Sequence, residues 1–505
     1  MKPVAAVSLA FLLGVSCMAA EPVFDVRFDH LKGSGLPAGW SYYGSGTHMQ
    51  LKDGNLVFTN EEPKRESGIV SRIEVEKGFD YEFTVELAEG HPGEKVEGVF
   101  LLLTAADGQA GRVIVKTPVV SGNLGQYVST SMRYSPPDTG KVALYLHSRQ
   151  GFTPRAKIRR ILCQRSADQR TWLPANQPPF TVCGLPFMKE NKGAYYRYPE
   201  ARAKHLATWS ASCQPSGARI RFKTNADKIE LLINHGKSSF PWPEMSALSM
   251  AGIDIYQGPP NQMVFAWRPD RGLINKDSPY IGTYIPTGDP GTMREYTLYL
   301  PMYARLASLD IALSPASAKV EPPTPYKLDK PVVWYSTSFA QGAGASGPSM
   351  SFPALTCRLL GLDLVNYGIS GNREWKPEEA EMLSEIPAAV YVMGPLLGDV
   401  STMEERYPKM VGILRKRHPA TPILLVTRLH TLGTAKPHDV NAIVRKLYEK
   451  QLADGDKNIH FLDAFTLYSD GAIPYTIDGV HVTDLGSKTI ADAFVPALKR
   501  ILKLP

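Results

Sequence analysis

The sequence contains no dense run of lysines or arginines, although these residues (56) outnumber aspartates and glutamates (49) and give a formal net charge of +7. Basic side chains that are interleaved with acidic ones do not form a nucleic-acid-binding stripe, so we expect no nucleic-acid partner. Beyond the N-terminus, no segment has the roughly 18 uninterrupted apolar residues of a transmembrane helix, so we expect a soluble mature protein without a transmembrane segment.

Cysteine is scarce, with five in 505 residues, and both the CxxC and the HExxH patterns are missing. The sequence therefore predicts neither a zinc site nor a dithiol redox centre, and we expect no metal and no cofactor. Four of the cysteines lie beyond the N-terminal region. In an oxidising compartment they allow disulfides in more than one pairing, and four buried thiols are the alternative. These four are Cys163, Cys183, Cys213 and Cys357.

The first 20 residues have the pattern of a secretory signal peptide. Lys2 precedes an apolar stretch over residues 4–15, and small residues follow before Glu21. We therefore expect a secreted or periplasmic protein that begins near Glu21. Cys17 raises the alternative of an outer-membrane lipoprotein, but Gly14 stands where a lipobox has leucine, so we favour simple cleavage.

The rest of the chain predicts two β-sandwich domains followed by a third domain. At roughly 150 residues per domain, 505 residues predict about three domains. In residues 21–168, apolar residues alternate with polar ones from Phe79 to Leu87, which is typical of a strand with one buried face. Several such short strands predict a carbohydrate-binding-like β-sandwich. Trp40, Tyr42 and Tyr43 are candidates for sugar stacking there, although aromatic residues of a sandwich more often belong to its core.

The pattern of residues 171–316 again predicts short strands between polar loops. Residues 317–330 are rich in proline, which predicts a linker. From residue 331 to 505 the pattern changes. Unalternating apolar runs, typical of strands that are buried on both faces, alternate with segments of helical period. This order predicts a flavodoxin-like, three-layer α/β/α domain with a parallel sheet, whose active site lies at the carboxyl ends of the strands.

Residues with catalytic potential follow the predicted strands of this domain. Ser338 comes just after the first strand, Gly371 lies in a glycine-containing turn after the second, and Asp478 and His481 precede the last helix. A serine hydroxyl needs a histidine base within hydrogen-bond reach, and an aspartate orients that histidine. The sequence has no GxSxG motif, which argues against an ordinary α/β-hydrolase.

These residues, in this order, resemble the blocks of SGNH (GDSL-type) esterases. The first block matches Ser338 to Gly342, the second matches the turn that contains Gly371, and the last matches Asp478 and His481. Residues 195–313 also resemble the β-sandwich that precedes the catalytic domain in some bacterial members. The resemblance implies that Ser338 is the nucleophile, His481 the base and Asp478 its partner. It also implies that the N–H groups of Ser338 and Gly371 form the oxyanion hole.

The chain departs from the family pattern at two places. Ser336 stands where a glycine usually precedes the nucleophile. The third block should supply an asparagine to the oxyanion hole, but residues 394–399 read Gly-Pro-Leu-Leu-Gly-Asp. Loss of one such donor typically costs about 10²–10³ in rate. Either another group replaces it, or the enzyme is slow, or the site is inactive.

The resemblance implies a secreted serine esterase that removes small acyl groups, most simply acetyl, from an acylated glycan. Asn372, Arg428 and His430 are candidate substrate-binding residues, and a solvated loop is the competing interpretation for Arg428 and His430. Two other functions stay open: a weak or inactive glycan-binding protein, and an esterase or lipase for non-carbohydrate esters. The acyl-chain preference and the reactivity of Ser338 separate them.

Overall fold

The computed structural model describes residues 21–31, 36–43, 47–60, 67–89, 96–105, 113–117, 120–122, 127–148, 155–167, 170–236, 243–269, 279–395, 398–431, 438–468 and 474–505. The expected signal peptide, including Cys17, lies outside these residues. The chain divides into two compact units, with the boundary between Gln169 and Arg170. Among the described residues, no helix is long and apolar enough to cross a membrane.

The first unit consists of two antiparallel sheets. One sheet has the order β10-β6-β12-β4-β3, with β1 beside β12, and the other has the order β2-β5-β11-β7-β8, with β9 beside β7. The strands are β1 (Glu21–Arg27), β2 (Trp40–Tyr43), β3 (Thr47–Lys52), β4 (Asn55–Asn60), β5 (Ser67–Val75), β6 (Phe79–Glu89), β7 (Val96–Ala105), β8 (Val113–Lys116), β9 (Val120–Gly122), β10 (Val128–Tyr134), β11 (Gly140–Ser148) and β12 (Arg155–Ala167).

The core of this unit confirms the strand predicted from the alternation after Phe79. Tyr81, Phe83, Val85 and Leu87 are all at most 1% exposed, and they pack against apolar side chains from the opposite sheet. Of the candidate stacking aromatics, Trp40 packs against this core, whereas Tyr42 is about half exposed.

The second unit begins with another antiparallel sandwich, as the sequence predicts. Its sheets have the orders β13-β21-β16-β19 and β14-β15-β20-β17-β18, with β22 beside β15. The elements are β13 (Leu173–Pro174), β14 (Thr181–Cys183), α1 (Glu200–Ala203), α2 (Trp209–Ser212), β15 (Arg219–Thr224), β16 (Lys228–Asn234), α3 (Ala247–Ala251), β17 (Asp254–Gln257), β18 (Val264–Trp267), β19 (Tyr280–Tyr284), β20 (Arg294–Tyr299), β21 (Ser308–Ser314) and β22 (Val320–Glu321).

The proline-rich segment after this sandwich is fastened to it. Its strand β22 pairs with β15, and Thr324 donates its N–H and its hydroxyl to Glu295. The Arg221 guanidinium lies over the ring of Tyr326, 4.1 Å from the ring centre. The segment therefore follows the surface of the sandwich into the next domain.

The C-terminal domain has the predicted flavodoxin-like architecture, with five parallel strands in the order β24-β23-β25-β26-β27. Strands β23 to β26 are buried along their whole length, which explains their unalternating apolar sequences, whereas three of the four residues of the edge strand β27 are half-buried. The elements are β23 (Val332–Ser336), α4 (Ser338–Gln341), α5 (Phe352–Leu360), β24 (Leu364–Gly368), α6 (Pro377–Ser384), β25 (Val390–Met393), α7 (Val400–Arg417), β26 (Ile423–Val426), α8 (Asp439–Ala453), β27 (Ile459–Leu462) and α9 (Asp484–Leu502).

The outer edge of β24 is buried beneath the sandwich, and two arginines of the sandwich satisfy its carbonyl groups. Arg219 donates to the carbonyl of Leu364, and Arg197 donates to those of Asn366 and Gly368. Both arginines are at most 2% exposed. Because buried carbonyls without partners are costly, this edge is stable only while the sandwich covers it.

The four cysteines that the structure describes form no disulfides. Cys163, Cys183, Cys213 and Cys357 are all free thiols, and three of them are buried. Burial raises the pKa of Cys163 and of Cys357 to about 12.

We predict that Arg197→Met lowers the free energy of unfolding of residues 170–505 by about 2–4 kcal/mol, because it leaves buried carbonyls without donors. Arg202→Met is the matched control. Arg202 also joins the sandwich to the C-terminal domain, but it does so through partly exposed ion pairs with Glu190 and Glu385. Such pairs contribute about 1 kcal/mol or less. Denaturant titration measures both variants, and equal losses would contradict the role of Arg197.

Candidate active site

Ser338 lies where the first parallel strand turns into a helix. Strand β23 ends at Ser336, and Ser338 is the first residue of the short helix α4. The N–H at this position has no acceptor within the helix, so it is available to a ligand. The Ser338 side chain is almost completely enclosed, with 3% of the residue exposed. Its Oγ lies 2.9 Å from Nε2 of His481.

The loop before α9 holds Asp478 and His481 in one tight turn. A bridge between Thr476 and Val482 closes the turn, and Gly479 has a φ of 85°, which favours glycine. One Asp478 oxygen accepts the N–H groups of Val480 (2.9 Å) and His481 (2.7 Å), and the other lies 2.6 Å from Nδ1 of His481. The carboxylate thus orients the imidazole, and Nε2 faces Ser338.

The environment of Asp478 favours its ionised form. Burial is the largest single influence and opposes ionisation. The hydrogen bonds from the N–H and imidazole of His481 and from the N–H of Val480 together outweigh burial, and they hold the pKa of Asp478 below its ordinary value. A carboxylate therefore faces the imidazole at neutral pH.

The turn after β24 presents Gly371 at the same edge of the sheet. Gly371 has a φ of 77°, it is exposed, and a Cβ there would meet open space. Among the described residues, its N–H has no hydrogen-bond acceptor. Gln341 of α4 accepts the N–H of Ser370 at 2.7 Å, which ties this turn directly to the helix that begins with Ser338.

Asn372 is turned away from this edge. It is 1% exposed, and its amide nitrogen donates to the hydroxyl of Tyr335 (2.9 Å) and to the carboxylate of Glu379 (3.1 Å). Its amide nitrogen is therefore not available for the substrate contact that we expect from its place beside Gly371. Asn372 instead anchors the turn to the core.

The segment in which the family has an asparagine is only partly described, because Leu396 and Leu397 lie outside the described residues. Trp334 donates to the carbonyl of Gly394 at 2.7 Å, and Ser336 donates to that of Pro395. Asp399 caps α7: it accepts the N–H of Thr402, and hydrogen bonds from Thr402 and Ser401 lower its pKa to about 2. The described side chains of this segment thus offer no amide donor to the site.

Arg428 and His430 follow β26 at the same edge of the sheet. Arg428 is partly exposed, and its backbone N–H and carbonyl are held by the side chain of Asn441. His430 is 8% exposed and packs against Phe465, with 5.0 Å between the ring centres. Contacts with Asn441 and Phe465 thus hold the chain at these two residues, and their role in substrate binding stays a prediction.

The residues of the sandwich that support Ser338 are not evident from the sequence patterns. Gln341 donates to Gln214 and to the carbonyl of Met302. Asp254, which is completely buried, accepts the N–H and hydroxyl of Ser349, in the loop that follows Ser338. The signal for Asp254 is the sequence Gly-Ile-Asp-Ile-Tyr over residues 252–256, which is close to a GxDLY motif.

Comparison with known families agrees with this geometry. Residues 329–499 match the model of the GDSL-like lipase/acylhydrolase family, and residues 170–318 match that of the N-terminus of SGNH-hydrolase-type esterases, named GxDLY. Among described residues, no group of three His, Cys, Asp or Glu side chains could hold a metal ion.

Solved structures give the same result. A protein described as a GDSL-like lipase from Bacteroides ovatus is 25% identical, with a TM-score of 0.57, over 66% of this chain and 98% of its own. The salicylyl-acyltransferase SsfX3 of a tetracycline biosynthetic pathway is 21% identical, with a TM-score of 0.52, over 66% and 99%. The search of curated proteins gave no match. From residue 170 onwards, this protein is a member of the SGNH (GDSL-type) esterase family.

Proposed function

We propose that this protein is a secreted serine esterase that removes small acyl groups, most simply acetyl, from a glycan. The observation that carries the proposal is the hydrogen-bonded series from Ser338 through His481 to Asp478. A serine next to an imidazole, which a carboxylate orients in turn, is the arrangement needed for nucleophilic attack on an ester.

In the proposed mechanism, Ser338 Oγ attacks the ester carbonyl while Nε2 of His481 takes its proton. Asp478 keeps the Nδ1 proton of the imidazole in place and stabilises the imidazolium that forms. The N–H groups of Ser338 and Gly371 receive the negative charge on the carbonyl oxygen. His481 then protonates the leaving alcohol, and water, activated by the same imidazole, releases the acid from the acyl-serine.

Enclosure of Ser338 supports the small acyl group. Only 3% of Ser338 is exposed, and such an enclosed nucleophile favours an acetyl group, which adds only a methyl, over a long chain. The glycan part of the proposal rests on the family resemblance and on the β-sandwich of the first unit. Secretion rests on the N-terminal pattern alone.

The missing asparagine supports a second candidate, a weak or inactive glycan-binding protein. An oxyanion hole that lacks one donor loses about 10²–10³ in rate. This candidate predicts binding to a glycan without release of acetate.

We predict that kcat/KM is lower by about tenfold or more for 4-nitrophenyl octanoate than for 4-nitrophenyl acetate, because Ser338 is enclosed. A tenfold decrease corresponds to a loss of about 1.4 kcal/mol in transition-state binding. Release of acetate from acetylated polysaccharides is the corresponding test on glycans. Ser338→Ala should reduce both activities by about 10³ or more. Ser401→Ala, an exposed serine at the start of α7, is the control and should retain them. A preference for octanoate would assign the protein to lipases, and absence of hydrolysis would favour the binding protein.

We predict that Asp478→Asn lowers kcat by about 10²–10⁴. The asparagine amide nitrogen would face Nδ1, so the imidazole would carry its proton on Nε2 and could not accept one from Ser338. Because the pKa of Asp478 is lowered, the wild-type carboxylate stays ionised as the pH falls to about 5. Kinetics at about pH 8 therefore compare an ionised carboxylate with a neutral amide. A variant that keeps more than about a tenth of the wild-type kcat at this pH would contradict the role of Asp478.

A further inference from the structure

Two arginines reach the carboxyl edge of the sheet from opposite sides of Ser338. Arg373 follows β24, and Arg428 follows β26. The strand order is β24-β23-β25-β26, so β23, which leads into Ser338, and β25 lie between the two arginines. Adjacent strands are about 4.8 Å apart, so the gap between β24 and β26 is short enough for two extended arginines to span.

These positive charges are close to one another, and no counter-charge in the described ranges forms a salt bridge with them. Among the described residues, neither Arg373 nor Arg428 forms a salt bridge, and Nε of Arg428 is buried without a partner. Burial and then the charge of Arg373 lower the pKa of Arg428. The pKa of His438 is also lowered, first by burial and then by Arg428 and His430. Asp439 has the opposite effect and raises this pKa. Arg373 and Arg428 are therefore two like charges that lie close to each other.

Three acidic side chains that follow the neighbouring strands are already engaged. Asp399 caps helix α7, Asp463 accepts hydrogen bonds from Thr427 and Arg445, and Glu374 pairs with Lys376. None of these carboxylates is left to neutralise the arginines.

His430 adds an independent sign of a missing partner. The residue is 92% buried, since only 8% is exposed, and its buried Nδ1 has no hydrogen-bond partner in the part of the chain that the structure describes. Its ring is held by Phe465 and by Tyr468, at 5.0 and 6.4 Å between ring centres. A buried ring nitrogen normally has a partner, because an unsatisfied one costs about 1–3 kcal/mol.

We propose that Arg373, Arg428 and His430 form a subsite for a carboxylate on the substrate, so that the ester attacked by Ser338 belongs to an acidic sugar or another carboxylate-bearing alcohol. This inference rests on the proposed function, since it names the substrate class of that site. A guanidinium matches the two oxygens of a carboxylate, and its attraction is stronger where burial limits screening. The bound carboxylate also gives His430 its missing partner.

The test compares three esters that differ in charge: 4-acetoxybenzoate, 4-acetoxybenzamide and 4-acetoxybenzenesulfonate. The ratio of kcat/KM for benzoate over benzamide should fall by about 10–100-fold in Arg428→Gln, the range expected for a lost charge-assisted hydrogen bond. Comparing each variant with the wild type cancels the intrinsic reactivity of the esters. Arg428→Lys, which keeps the charge, should give an intermediate ratio. Arg373→Gln changes an exposed residue and should lower the ratio without disturbing the fold.

Lys416→Gln is the control. It removes one positive charge from the exposed last turn of α7, at the opposite end of the sheet, and should leave the ratio unchanged. A ratio that neither arginine variant changes would overturn the subsite, and a preference for the sulfonate would overturn its assignment to a carboxylate.

If no ester is hydrolysed, the proposed function is wrong. The subsite can then still be tested by a binding measurement. Calorimetry then measures 4-acetoxybenzoate binding to Ser338→Ala. Binding that Arg428→Gln abolishes would support the subsite, and absence of binding would overturn it.

Discussion

The site depends on one constraint: the outer edge of strand β24 is buried and must find hydrogen-bond donors. Arg219 and Arg197 of the sandwich supply them, at the carbonyls of Leu364, Asn366 and Gly368. Glycines 184 and 217 allow this approach, since a Cβ at Gly217 would come within 2.6 Å of Asn366. Because β24 leads into the turn that contains Gly371, the contact also fixes one side of the site. The sandwich is therefore a structural part of the site.

The same sandwich secures the residues around Ser338. Gln341 joins α4 to the sandwich through Gln214 and to the Gly371 turn through Ser370, so one buried amide connects three elements. Further along, Gly344 meets the loop that carries His481, where a Cβ would lie 2.7 Å from the carbonyl of Val482. These contacts fix the positions of Ser338, Gly371 and His481 relative to one another, although the three residues lie far apart in sequence. Such precise placement matters because a hydroxyl becomes a nucleophile only within hydrogen-bond reach of its base.

The sequence predicts the architecture well because buried parallel strands and half-buried sandwich strands leave different periodicities. The run from Phe79 to Leu87 and the run at Ile423–Val426 are confirmed as a half-buried and a fully buried strand. Polar contacts between domains leave no such period. Nothing in the spacing of Arg197 or Asp254 indicates that they bind β24 and the loop after Ser338. The contacts of Asn372 could not be predicted for the same reason. Its position beside Gly371 in the sequence does not show that its side chain binds Tyr335 and Glu379.

The proposed chemistry requires that Ser338 is a nucleophile activated by His481. The most direct measurement treats the whole protein with a fluorophosphonate and maps the modified peptide by mass spectrometry. We expect one phosphonyl group per chain, on Ser338, and its loss in His481→Ala, with substitution of the exposed His205 as the matched control. Labelling of another residue, or labelling that persists undiminished in His481→Ala, would contradict it.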